Sequence, residues 1–151
     1  MTQTDIPLLF SADAEESLCG GIIIREKIPD EIKSYGLKPG DFYIIRNQWV
    51  WIAAISLGKY DIKTLWEELE RTKGKKDLNG FGGPARLTTL VYRCDNSYDI
   101  EKYARVIKEL SERRFALRIA NRLAQVIYAL DEPFNLDDIV TKLYKSRVQT
   151  E

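Results

Sequence analysis

The sequence predicts an all-α chain built as a small orthogonal helical head followed by a long helical hairpin. Three observations carry this. The dominant spacing of apolar residues is three and four, the period of a helix with one buried face. The stretch from Ser97 to Leu130 contains neither proline nor glycine. After it, Asp131-Glu132-Pro133-Phe134-Asn135 reads as a turn, and Leu136, Ile139, Val140, Leu143 and Tyr144 return at helical spacing. The expected boundaries are a head over 1–96 and a hairpin over 97–147, with the long helix about 97–131 and the return helix about 136–147. Residues 148–151 are a tail or the start of a linker.

The first helix is expected to begin near residue 12. Asp13 and Glu16 have cap-plus-three spacing and acidic residues crowd the first turn. Ala14, Leu18, Cys19, Ile22 and Ile23 then share a face. Gly20-Gly21 inside this helix cost about 1 kcal/mol each relative to alanine. A packing notch for a neighbouring helix explains them better than a phosphate-binding turn, because no strand precedes them and no Lys-Ser/Thr follows.

Pro29 suits the first position of a short helix that Tyr35-Gly36 ends, and Lys38-Pro39-Gly40-Asp41 reads as a turn. In Phe42–Ile55, Phe42, Ile45, Trp49 and Ile52, with Leu57 beyond, would line a helical face. The β-branched and aromatic content of that run also fits a strand. Asp61 caps the next helix, with Ile62, Leu65, Trp66 and Leu69 inward. Lys73 to Gly83 reads as a loop, and Pro84 opens a helix carrying Leu87, Leu90 and Val91.

The long helix carries two apolar stripes. Tyr103, Ile107, Leu110, Leu117, Ala124 and Tyr128 form one; Ile119, Leu123, Val126 and Leu130 form part of another. Some 34 residues at 1.5 Å each span about 50 Å, whereas a domain of this size is about 40 Å across. The return helix covers only about 18 Å of that length. The remaining apolar surface needs the head or a second chain, and hairpin-mediated dimerisation is the preferred expectation. Tyr103, Ile107, Leu110, Leu117 and Ala124 are the expected interface residues. Charged replacements at Ile107 and Leu110 are expected to abolish the dimer and leave the fold intact.

Composition removes several chemistries. The chain has 23 basic and 23 acidic residues, no histidine, two cysteines and one methionine. Without histidine there is no Ser-His or Cys-His nucleophile and no histidine metal site. Cys19 and Cys94 fit no zinc, redox or disulfide spacing. A formal charge of zero argues against a surface wholly given to nucleic acid. Asn79-Gly80-Phe81-Gly82-Gly83-Pro84 lacks the lysine and hydroxyl of a P-loop. The carboxylates at Glu67-Glu68-Glu70 and Asp137-Asp138 sit opposite apolar residues, as a solvated helix face does. No catalytic, cofactor-binding or metal-binding residue is expected, and with no export signal the expected location is the cytoplasm.

One charge pattern stands out. From Arg105 to Arg122 six basic residues face two acidic ones, and Arg113, Arg114, Arg118 and Arg122 form a stripe for a candidate partner. The stripe suits DNA phosphates or an acidic protein. Neutralisation by Asp131, Glu132, Asp137 and Asp138 on the returning arm is the equally weighted alternative.

Five blocks together resemble the N-terminal domain of DnaB-type replicative DNA helicases. The run Ala14-Glu15-Glu16-Ser17-Leu18-Cys19-Gly20-Gly21-Ile22-Ile23-Ile24 resembles the family's opening helix, and Asp41-Phe42-Tyr43 its "DFY" turn. Asp61 to Leu69 is similar to its fourth helix, Gly82-Gly83-Pro84-Ala85-Arg86-Leu87 to "GGxAYL", and Ile100 to Ile107 to "NIExYARIV". The blocks keep the family's order and spacing from about Ala14 to Leu130. Departures are Asn47-Gln48 where the family often has His-Arg, a short turn between Leu57 and Asp61, and the added aromatics Trp49 and Trp51.

The resemblance implies a non-catalytic domain whose hairpins pair into a homodimer, whose dimers form a hexameric collar, and whose collar docks primase. A helicase loader is a further implied partner, and DNA contact is weak or absent. ATP and Mg belong to a following RecA-like domain, which this chain stops short of. The alternative is a stand-alone helical regulator that binds a helicase or primase. A DNA-binding domain using the arginine stripe is the third reading.

Overall fold

A computed structural model describes residues 6–94 and 99–150, and among these there is no β-strand, only an isolated bridge between Lys27 and Lys59. Seven α-helices follow one another: α1 Ala12–Arg25, α2 Asp30–Lys33, α3 Ile45–Leu57, α4 Ile62–Leu78, α5 Ala85–Arg93, α6 Glu101–Tyr128 and α7 Leu136–Thr150. A 3-10 turn, Pro39–Asp41, precedes α3. The all-α expectation and the hairpin of α6 and α7 stand. The expected head boundary at 96/97 falls outside the described residues.

α1 starts where expected, but its cap is Ser11, whose side chain accepts from the Ala14 N–H at 3.1 Å. Glu15 and Glu16, read from the sequence as first-turn acids, are buried instead. Glu16 receives Arg86 at 3.1 Å and Arg93 at 2.6 Å, which ties α1 to both ends of α5. Glu15 reaches across to α3, whose own cap position, Ile44, offers no side-chain bond. Its carboxylate accepts from the Tyr43 N–H at 2.9 Å, the Ile44 N–H at 3.1 Å and Asn47 Nδ2 at 3.3 Å. With no side-chain cap of its own, the start of α3 is held by a carboxylate from a different helix, which binds the backbone donors at and just before the cap position.

Burial pushes the Glu15 carboxyl above the usual carboxylate range, while its three donors pull the other way. The two effects partly cancel, so Glu15→Ala is expected to cost at the low end for a buried hydrogen-bonding network, about 2 kcal/mol. Urea unfolding checks this; an unchanged midpoint would show that α3 starts without help from α1.

The glycine pair is the packing notch that the sequence suggests. A Cβ at Gly20 would lie 2.0 Å from the Leu90 carbonyl oxygen, and one at Gly21 would lie 2.4 Å from Ile100 Cγ2. The backbones of α1 and α5 therefore meet with no side chain between them. Around this contact lie Leu18, Ile22, Leu87, Leu90 and Ile100, all essentially inaccessible to solvent.

α3 is a helix, as one of the two readings held, but with a different buried face. Val50, Trp51, Ala53, Ala54 and Asn47 face inward, while Ile45 and Ile52 are exposed. From Trp49 to Ile55 the helix is apolar all round, so periodicity alone could not choose the face. Trp51 packing on Phe42, with ring centroids 5.2 Å apart, orients it. In α4, Leu65 and Leu69 are buried as expected, whereas Trp66 is half-buried and Ile62 exposed. Asp61 caps that helix, accepting from the Thr64 N–H at 2.7 Å. Lys73–Gly83 is not wholly a loop: helix continues to Leu78, broken at Gly74, where φ is 71°.

α6 has 28 residues and spans about 42 Å. Its first turns belong to the head, because Ile100, Ala104 and Ile107 join the head's core. The long helix is thus a shared element rather than the start of a separate part.

Candidate interaction surface

One buried side chain from the turn before α3, that of Asp41, holds α6 to the head. Asp41 Oδ1 accepts from Ser111 Oγ at 2.6 Å. Its Oδ2 accepts from the Lys38 N–H at 2.8 Å and from Lys108 Nζ at 3.4 Å. Phe42, next in the chain, is buried against Trp51. The sequence reading took Lys38–Asp41 as a turn only; it is also the socket that receives the long helix. Nothing local signals this, since Ser111 and Lys108 lie some 70 positions away.

The arginine stripe does not act as a unit. Arg114 donates to the carbonyls of Leu9 and Asp41, both at 2.7 Å, and stacks 5.6 Å from the Tyr43 ring. Phe10 stacks on the same ring at 4.2 Å. Arg114 is therefore a clasp on the segment before α1, which corrects its expected place on a free partner-binding face. Arg113 pairs with Glu109 along its own helix at 2.9 Å. Arg118 lies 5.7 Å from the Phe115 ring, and Arg122 donates to Gln125 at 3.2 Å.

Beyond Phe115 the long helix leaves the head and meets α7. Arg147 forks onto Glu112 at 2.8 and 2.5 Å and stacks on Phe115 at 4.7 Å. Tyr144 meets the same ring edge-on at 6.0 Å. A groove of about 450 Å³ opens there, floored by Phe115, Ile119 and Leu143 and flanked by Arg118, Arg122 and Arg147. Neutralisation of the stripe by the returning arm's acids is not what forms: among the described residues no ion pair joins Asp131, Glu132, Asp137 or Asp138 to it, and the cross-hairpin pair is Glu112–Arg147.

The two stripes of α6 divide differently from the sequence expectation. Ile119, Leu123 and Val126 are half-buried, as are Ile139 and Leu143 of α7. The other stripe changes partner along its length. Tyr103 and Leu110 are half-buried near the head, Leu117 and Ala124 are exposed, and Ile107 is 3% exposed within the head core. Ile107 is thus withdrawn from the expected dimer interface, and a charge there would break the core rather than spare the fold. The buried residues of α6 end at Phe115, so residues in one sequence register face different surroundings.

What remains open on the arms is apolar. Leu117, Ile127 and Tyr128 are exposed on α6, and Leu136, Val140 and Tyr144 on α7, the latter at four-residue intervals along one face. Among the described residues no cluster of three or more His, Cys, Asp or Glu could hold a metal ion. No helix there is long and apolar enough to cross a membrane.

The family model described as the DnaB-like helicase N terminal domain matches residues 8–109, more than half of the chain. The chain belongs to this family. The DnaB-like assignment agrees with the fold: the crystal structure of the N-terminal domain of DnaB helicase from Mycobacterium tuberculosis superposes with a TM-score of 0.78 at 26% identity, covering 90% of this chain and 97% of that one. The replicative DNA helicase DnaC of Bacillus subtilis is 27% identical over 138 residues, 89% of this chain. The replicative DNA helicase DnaB of Buchnera aphidicola is 32% identical over 127 residues, 82% of this chain. The chain spans only 29% and 27% of the lengths of those two proteins. It corresponds to a DnaB N-terminal domain.

Proposed function

We propose that this domain is a non-catalytic assembly and docking module for DNA replication. In this reading two copies pair through their hairpins, paired copies build a collar on a helicase ring, and the collar recruits primase. A helicase loader is a further partner of the same kind. The domain itself takes no cofactor; ATP and Mg serve a separate motor domain.

The observation that carries this reading is the outward apolar surface of the arms. Leu117, Tyr128, Leu136 and Val140 are left to solvent on two helices that already meet through Phe115 and Tyr144. An apolar surface of that extent on a soluble domain marks an interaction site. Charge supports a second copy as one occupant. The hairpin tip carries Asp131, Glu132, Asp137 and Asp138, and the groove at its base carries Arg118 and Arg122. A two-fold pairing would bring the acidic tip of each copy to the basic groove of the other.

Sedimentation velocity over a concentration series tests the pairing. The unmodified chain is expected to pass from monomer to dimer. Leu117→Asp combined with Val140→Asp, both at exposed positions, is expected to keep its helical circular dichroism and weaken the dimer at least tenfold. A monomer at every concentration would sink the pairing for the isolated domain.

A further inference from the structure

The hairpin is electrically polarised along its length. From Leu123 to Thr141, the outer part of the arms and the turn between them carry Asp131, Glu132, Asp137 and Asp138 and no lysine or arginine. The segments that meet at the other end, 113–122 of α6 and 142–147 of α7, carry seven basic residues and no acid. Three of the seven are engaged: Arg113 with Glu109, Arg114 with the head and Arg147 with Glu112. Arg118 and Arg122, which flank the groove beside Phe115, have no ion-pair partner among the described residues.

This groove is also incomplete as an apolar site. It holds about 450 Å³ over Phe115, Ile119 and Leu143, and no acidic side chain lines it. Ile119 and Leu143 stay half-buried although α6 and α7 already meet. An apolar floor between arginines fits an aromatic side chain that arrives with carboxylates. The hairpin turn presents such a group. Phe134, 54% exposed, has Asp131 and Glu132 before it and Asp137 and Asp138 after it. It cannot fill the groove of its own hairpin, because about 14 Å of α6 separates Ile119 from Tyr128, where the helix ends short of the turn.

We propose that Phe134 of a second copy fills this groove, with its Asp131 and Glu132 set against Arg118 and Arg122. Resting on the pairing proposed above, this contact fixes the register: the arms run antiparallel and overlap from groove to turn. By two-fold symmetry the contact forms twice, so each copy gives its turn and receives the other's. A parallel register would instead set the four acids of one copy against those of the other, and like charges repel.

The test is sedimentation equilibrium on the full chain and on two charge-reversed variants, Arg118→Glu with Arg122→Glu and Asp131→Arg with Glu132→Arg. All four positions are exposed, so each variant is expected to keep the helical circular dichroism of the parent. Each alone is expected to self-associate at least tenfold more weakly, because groove and turn are no longer opposite in sign. Mixed in equal amounts, the two variants are expected to pair about as tightly as the parent. The acidic groove of one then meets the basic turn of the other, and the unchanged groove meets the unchanged turn. Phe134→Ala should weaken pairing about tenfold. A parent that stays monomeric at every concentration would remove the pairing itself. A parent that pairs, with both reversals and Phe134→Ala pairing equally well, would keep the pairing and overturn this register, leaving the groove to an acidic segment of another protein. A mixture that fails to recover pairing would overturn it as well.

Discussion

Replacing Gly20 with alanine is expected to destabilise the domain by about 3 kcal/mol, although alanine is the better helix former. Two effects oppose each other. Inside α1 the substitution recovers about 1 kcal/mol of helix propensity. Against that, the new methyl would sit 2.0 Å from the Leu90 carbonyl oxygen and 2.8 Å from the Leu90 carbonyl carbon. Both are backbone atoms of α5, so no rotamer change relieves the clash. The helices must separate, and Leu87 and Leu90, now fully buried, would lose their contacts with α1. Overpacking of this kind costs 1–3 kcal/mol and sometimes more, and a rigid backbone partner places it above that range, at about 4 kcal/mol, which leaves a net loss of about 3. For a chain of this length that lowers the thermal midpoint by about 10 °C. Gly21→Ala is the internal control. Its methyl meets Ile100 Cγ2, the end of a side chain that can shift, so the expected cost is about 1 kcal/mol. Paired thermal melts decide the matter; a Gly20→Ala variant as stable as the parent would mean that α1 and α5 are not held at this distance.

Asp41→Ala is expected to cost about 3 kcal/mol and to loosen the long helix from the head. The carboxylate is 2% exposed and serves the Lys38 N–H, the Ser111 hydroxyl and the Lys108 ammonium together. Removing it leaves a buried hydroxyl and a backbone donor unmatched. Breaking a buried ion pair costs about 3–5 kcal/mol; the lower figure applies because Lys108 retains Glu112 at 3.9 Å and partial access to water. Asp41→Asn keeps one acceptor oxygen, so about half that loss is expected. The diagnostic readout is hydrogen exchange along α6. Faster exchange from Ala104 to Phe115, with α4 unchanged, is expected. A uniform loss of protection would mean that Asp41 supports the whole head rather than the seat of the long helix.

Asp41 also bears on the proposed pairing, because it binds Ser111 and Lys108 of α6 one to two turns before Phe115. The long helix is seated on the head where its Ser111 and Arg114 meet Asp41. Two hairpins can pair with their arms aligned only if that junction is rigid in both copies.

Much of this molecule is legible from local pattern. The helix boundaries at Ala12, Ala85 and Leu136, the Asp61 cap and the inward Leu65 and Leu69 follow from spacing and capping, which depend on neighbours within one or two turns. The glycine notch is legible too, because two glycines in a helix carry a cost that only a close neighbour explains. The family blocks add identity that no single element carries.

Other features turn on partners distant in the chain. Sequence pattern placed Ile45 and Ile52 inward on α3, whose middle from Trp49 to Ile55 is apolar all round; with Trp51 packed on Phe42 they face outward. Ile107 and Leu117 share one stripe in the sequence, but the head buries the first and leaves the second open, since the head ends partway along α6. Arg114 looks like its stripe neighbours until Leu9, some hundred positions earlier, comes beside it. Local spacing therefore determined most of the helices and the hairpin of α6 and α7, though not the helical state of α3 or of Lys73–Leu78. Tertiary packing alone decided which face each helix buries, which carboxylates become structural anchors, and which arginines stay available, because burial and charge pairing are settled by whatever the fold brings alongside.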